Sequence, residues 1–248
     1  MLRVTKILFF VVLAVLGIFS SSCGSDHSKV RFVHAAVSSA PPDVALDVAV
    51  DGKTVATALA YGGVSPATGY LTIAAGSRKV EMSTTGTTDD LINSTIDFAS
   101  GRQYTLVATG FVTPPKDPNF NIAAALLTDD NSAPSSGNVK LRILHAAPYN
   151  GVAPNPPALD VYIVPPSTDI TGVTPNVSSL LYGQASPYQN VPAASNRVIV
   201  TAAGTKTPAI IDETPDSFAA GQIRTLVVVN VLDGVTPSST PIVLSDLN

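Results

Sequence analysis

The strongest constraint on this chain is a short stretch that occurs twice. It reads Val30-Arg31-Phe32-Val33-His34-Ala35-Ala36 near the start and Leu141-Arg142-Ile143-Leu144-His145-Ala146-Ala147 in the middle. Each copy opens a run of about 100 residues, and later landmarks of the two runs match in order. Leu46-Asp47-Val48 is matched by Leu159-Asp160-Val161, Tyr61-Gly62 by Tyr182-Gly183, and Lys79-Val80 by Arg197-Val198. Phe98-Ala99-Ser100-Gly101 is matched by Phe218-Ala219-Ala220-Gly221, and Thr105-Leu106-Val107 by Thr225-Leu226-Val227. The ends agree as well, Leu127-Thr128-Asp129 with Leu244-Ser245-Asp246. Two runs with the same landmarks call for one framework used twice, so the 248 residues are expected to form two domains. The boundaries fall at 30–130 and 139–248, joined by a Pro/Gly/Ser-rich linker at 131–138.

The framework expected is all-β. Val44 to Val50 and Lys53-Thr54-Val55 flank Asp51-Gly52, a hairpin signal because both central positions need positive φ. Tyr70 to Ile73 and Lys79 to Met82 alternate in period two around Ala75-Gly76-Ser77. Ile92 to Phe98, Tyr104 to Val112 and Asn121 to Leu127 supply further strands. Short β-branched runs, with 20 Pro and 17 Gly between them, favour strands over helices. The expectation is two tandem immunoglobulin-like antiparallel β-sandwich domains. The copies differ mainly where the first has its Asp51-Gly52 hairpin; the second carries a longer loop over Val164 to Gly172. Length variation confined to a loop is what two domains on one scaffold should show.

Taken together, these landmarks resemble DUF4397, a family of exported bacterial repeats of unknown function. The first copy departs from the family at Ala49, where the second has Tyr162 in an Asp-Val-Tyr strand. The resemblance implies a β-sandwich, often in tandem, on exported or surface-attached proteins, and it brings no established activity.

Residues 1–23 are expected to be a leader. Arg3 and Lys6 precede an uncharged run from Ile7 to Phe19, too short to span a bilayer. Ser20-Ser21-Ser22 then lead to Cys23 and Gly24, which resembles a bacterial lipoprotein signal, although Ser20 stands where an aliphatic residue is usual. Cys23 is the one cysteine of the chain, so no internal disulfide can form and lipidation of Cys23 is the expected use. The alternative is an ordinary secretory signal with an incidental cysteine. Residues 24–29, including His27, are expected to be a polar tether. Loss of a leader with Arg3 and Lys6 takes the net charge from −4 to −6, which argues against a nucleic-acid partner.

Candidate chemistry is sparse. His34 and His145 are equivalent, and Asp47 and Asp160 could join them in a metal pair or as a base with its orienting group. The plainer expectation is a strand-end histidine bonded to a neighbouring carboxylate or carbonyl. Each domain offers one histidine and no cysteine, short of a metal site's usual three or four ligands. Asp129-Asp130, Thr88-Asp89-Asp90 and Asp212-Glu213 could bind calcium, but they lack the alternating ligand spacing and read more simply as solvated turns. Tyr61 and Tyr182 could stack on sugar rings or cap the core. No hydrolase elbow and no phosphate loop is found, and no cofactor is expected.

The expected function is a non-catalytic binding or adhesion module, held on the envelope membrane by its lipid and contacting polysaccharide or a surface protein through loops such as 164–172. The alternatives are a structural spacer, and an enzyme built on His34/Asp47 and His145/Asp160.

Overall fold

A computed structural model describes residues 26–38, 44–112, 120–148, 156–193, 197–213, 218–230 and 240–246. The leader, Cys23 and Gly24 lie outside the described residues. The described chain is all-β, with four sheets. The first inner sheet contains β1 (His27–His34), β4 (Val64–Ser65), β5 (Leu71–Ala74), β8 (Gln103–Thr109) and β9 (Ala123–Thr128), in the order β4-β1-β8-β9 with β5 also on β1. The first outer sheet orders β3 (Lys53–Leu59), β2 (Leu46–Val50), β6 (Gly76–Thr84) and β7 (Asp90–Phe98).

The second half repeats this plan. Its inner sheet orders β13 (Gln189–Pro192), β10 (Asn138–His145), β16 (Ile223–Val228) and β17 (Ile242–Ser245). Its outer sheet orders β12 (Val177–Leu180), β11 (Leu159–Val164), β14 (Arg197–Ala202) and β15 (Ala209–Glu213).

Three apolar layers hold the four sheets together. Phe32, Leu106 and Tyr104 of the first inner sheet meet Val48, Val80 and Met82 of the first outer sheet. Leu141, Ile143 and Leu226 meet Val161, Val198 and Val200 in the second half. Between the inner sheets, Val33, Ala35, Val107 and Leu127 pack with Leu144, Ala146, Val227 and Leu244. The inner strands are thus covered on both faces, which explains the opening stretch. Val30, Phe32 and Ala36 point into their own core, while Val33 and Ala35 point to the seam between the halves. Strands buried on both sides read as continuous apolar runs without alternation.

Pairing is not wholly antiparallel as the sequence suggested. β1 runs parallel to β8, and β10 parallel to β16. Parallel neighbours need a long crossover, and here the strands of the outer sheet supply it, a relation that short-range turn signals cannot reveal. The Asp51-Gly52 hairpin is present, with φ of 50° and 74°. Around Ala75, by contrast, β5 and β6 do not pair with each other; the chain passes from inner to outer sheet. The tether expected over 24–29 is shorter, because His27, Ser28 and Lys29 belong to β1. Fully buried Ser28 donates its hydroxyl to the Ala99 carbonyl at 2.7 Å, so a polar residue is satisfied inside the fold.

Candidate functional site

Tyr61, Tyr182 and Asp129 reach the seam, and the histidines and aspartates are not joined in the pairs that the sequence suggested. His34 is buried, and its Nε2 lies 2.7 Å from the Val44 carbonyl; the His145 Nε2 lies 3.1 Å from the Pro157 carbonyl. Each ring meets the tyrosine of its own Tyr-Gly turn edge-on, with centroids 6.0 Å apart for His34–Tyr61 and 5.8 Å for His145–Tyr182. The backbone locks the same arrangement, since Gly62 N–H donates to the His34 carbonyl and Gly183 N–H to the His145 carbonyl, both at 2.8 Å. Burial lowers the His145 pKa to about 4, only partly opposed by its bond to Pro157, so the ring is neutral at pH 7.

Asp47 and Asp160 are occupied elsewhere. Asp47 accepts from the amides of Ala58 at 2.8 Å and Gly86 at 3.3 Å, and from the Thr85 hydroxyl at 2.9 Å. Asp160 accepts from the amides of Ser179 at 2.9 Å and Gly204 at 2.8 Å. All four amide donors lie at positive φ: 50° at Ala58, 79° at Gly86, 53° at Ser179 and 77° at Gly204. The repeated aspartate therefore fastens a left-handed kink on one neighbouring strand and a turn on the other. Bonds from the Ala58 amide, above all, lower the Asp47 pKa.

Tyr61 and Tyr182 cap the seam. Tyr61 donates to the Asn230 carbonyl, and the Tyr182 hydroxyl lies 2.9 Å from Thr109 Oγ1. Each tyrosine thus bonds at or just beyond the end of an inner strand in the other half.

Beside them lies a buried charge lattice with near two-fold symmetry. Arg31 Nε donates to Thr105 Oγ1 at 2.8 Å within its own half, while its other nitrogens reach the Ser245 carbonyl at 2.6 Å and the Asp246 carboxylate. Arg142 mirrors this, with Nε to Thr225 Oγ1 at 3.1 Å, the Thr128 carbonyl at 3.0 Å and Asp129 at 2.6 Å. Each aspartate also takes the hydroxyl of its own half's tyrosine, Tyr70 to Asp129 at 2.7 Å and Tyr188 to Asp246 at 2.8 Å. Both tyrosine rings lie under a guanidinium, 5.3 Å from Arg31 to the Tyr70 centroid and 4.6 Å from Arg142 to Tyr188. Burial works against the charge on Arg31, yet Asp246, Tyr70 and Asp129 outweigh it and raise its pKa. Burial first, then the facing carboxylate, drives both phenols far above the ordinary tyrosine value.

This lattice is not among the sequence-based expectations, in which Asp129-Asp130 is a calcium candidate or a solvated turn. Asp129 has a fully buried carboxylate paired with Arg142, and Asp130 meets Lys140 at 2.8 Å. A signal was available: an arginine repeated inside an apolar strand needs a carboxylate, and the repeated ends at Asp129 and Asp246 supply one. Asp212 pairs with Arg197 at 2.5 Å on an exposed surface. Among the described residues, no group of three or more His, Cys, Asp or Glu is placed to hold a metal.

The long loop after β11 is anchored rather than loose. Ile170 is buried against Tyr162, Val164 and Ile199 on the outer face of the second outer sheet. Lys206 Nζ donates to Tyr162 Oη at 2.9 Å and to the Val173 carbonyl at 2.5 Å. Pro165, Pro166, Ser167, Asp169, Thr171 and Gly172 remain exposed on this fixed base. Two clefts flank the seam at equivalent places. One, of about 360 Å³, lies between Leu126–Thr128 and Gly183–Tyr188 above Arg142. The other, of about 150 Å³, lies between Val243–Ser245 and Val64–Gly69 above Arg31.

Comparison with known families matches the chain to a family described as "Domain of unknown function (DUF4397)" over residues 28–162. The match begins in β1, covers the first pair of sheets and the linker, and ends at Tyr162 in β11. No curated protein matches the chain.

Proposed function

The chain belongs to the DUF4397 family, a domain of unknown function matched over more than half its length, and we propose that it is a non-catalytic binding or adhesion module of the bacterial cell envelope. In this reading its halves are two tandem immunoglobulin-like β-sandwiches, carried on a membrane by a lipidated Cys23. The supporting observation is the anchored loop over 165–176, which presents exposed Pro165, Ser167 and Asp169 from a base fixed by Ile170 and Lys206. A loop already ordered loses little entropy when it binds, which favours recognition. The proposed partners are envelope polysaccharide or a surface protein. The enzyme alternative needs its histidines and aspartates joined, and the bonds of His34, Asp47, His145 and Asp160 run to other groups.

The test is saturable binding of the full chain to a panel of envelope polysaccharides and extracted surface proteins. A hit that disappears when 165–172 is trimmed supports the module and its face. A hit that survives trimming moves the site elsewhere. Absence of any saturable ligand favours the spacer, a reading supported by the bonds across the seam, which brace the halves at one angle. The address has its own test: Cys23→Ala should shift the protein from the membrane to the soluble fraction, and retention would defeat the anchor.

A further inference from the structure

We infer that the edge of β9 left unpaired among the described residues is a strand-addition site that takes an extended polypeptide segment of another protein, with one of that segment's side chains entering the 360 Å³ cleft beside Arg142. This rests on the binding-module reading and names a partner class for it.

The inference starts from the phase of the ladder. Asp129 N–H donates to the Gln103 carbonyl at 2.8 Å, and Thr105 stands opposite Leu127, so Leu127 and Ala125 bond to β8. The amides and carbonyls of Ala124 and Leu126 therefore point away from the sheet. The next outward carbonyl, at Thr128, is already taken by Arg142 Nη1 at 3.0 Å, which ends the open stretch. Only another backbone offers donors and acceptors at the spacing of such an edge.

The side chains carry the same message. Leu126, Leu181 and Val243 are the large hydrophobic residues exposed among the described ones, and two of them, Leu126 at 38% and Val243 at 47%, hold equivalent places on β9 and β17. Several other edges carry charged or proline guards against strand pairing. β3 has Lys53, β7 has Asp90 and Asp97, β15 has Asp212 and Glu213, and β13 ends in Pro192. Ala123 to Leu127 has none of these. The feature recurs at β17, where Arg31 takes the outward Ser245 carbonyl at 2.6 Å, beside the narrower cleft. An unguarded apolar edge kept twice, each next to a cleft continuous with the seam, fits an extended peptide better than a sugar, which would want exposed polar groups.

The test titrates the full chain in detergent against three fluorescent heptapeptides alternating Thr with Val, Leu or Phe. Saturable binding of at least one is expected, weakened tenfold or more by Leu126→Lys and by N-methylation of alternate peptide amides. Leu126→Thr, which keeps strand propensity, serves if the lysine variant does not melt cooperatively. Binding by none of the peptides to folded protein, or binding indifferent to both changes, overturns the site. Self-association that Leu126→Lys abolishes would make the occupant a second copy and overturn the partner proposed. Saturable polysaccharide binding with no peptide binding would sink this inference alone and leave the module reading standing.

Discussion

Arg142 shows how much one side chain can decide. It sits in the middle of an apolar strand with both faces covered, where an unpaired guanidinium would be very costly. Its four partners, Thr225, the Thr128 carbonyl, Asp129 and the Tyr188 ring, make it tolerable. Removing one member of such a buried pair leaves the other charge uncompensated, so Arg142→Ala should lose about 3–5 kcal/mol in urea unfolding. A loss below about 1 kcal/mol would mean that water reaches Asp129. His145 supplies a pH dependence. Its pKa is about 4 in the fold against 6.5 ordinarily, so the unfolded chain binds more protons between those values. Stability is therefore full above pH 6.5 and falls as the pH drops towards 4, by on the order of 3 kcal/mol from this group. Urea midpoints measured across that range should show a shallower slope in His145→Gln.

At the scale of elements, the long loop after β11 takes the place of the hairpin between β2 and β3. The first half turns tightly at Asp51-Gly52, and its outer sheet has Ala49 where the second has Tyr162. The larger ring needs cover, and Ile170 with Val173 provides it. Loop length and side-chain size thus differ together between the halves. Ile170→Ala should cost about 2 kcal/mol, the low end for a buried isoleucine because the site lies under a surface loop. Faster proteolysis within 165–176 should accompany it. A variant as stable and as resistant as the parent would show that the loop does not depend on this anchor.

Across the whole molecule, the seam behaves like the interface of a two-fold dimer built into one chain, since what Arg31 does to Asp246, Arg142 does to Asp129. Each fully buried Val or Leu in it contributes roughly 1.5–3 kcal/mol, so Val107, Leu127, Leu144 and Val227 hold strongly even without a covalent link. A protease site placed at 134–136 should therefore yield two fragments that co-elute at the mass of the intact chain. Separation after cutting would show that the linker, not the seam, keeps the halves together.

The sequence alone determined the all-β class, most strands of the first half, the repeated landmarks and the Asp51-Gly52 turn, because strand propensity and turn chemistry act over a few residues. It also marked His34, Asp47, Tyr61 and their counterparts as positions of consequence. Tertiary structure alone decided what they do. Asp47 serves a kink at Ala58, Tyr61 bonds to the far half at Asn230, and Asp129 leaves its expected solvated turn for Arg142. The physical reason is distance along the chain. A carboxylate's role is set by the donor it meets, and Arg31 meets Asp246 across 215 residues, far beyond the reach of any local pattern.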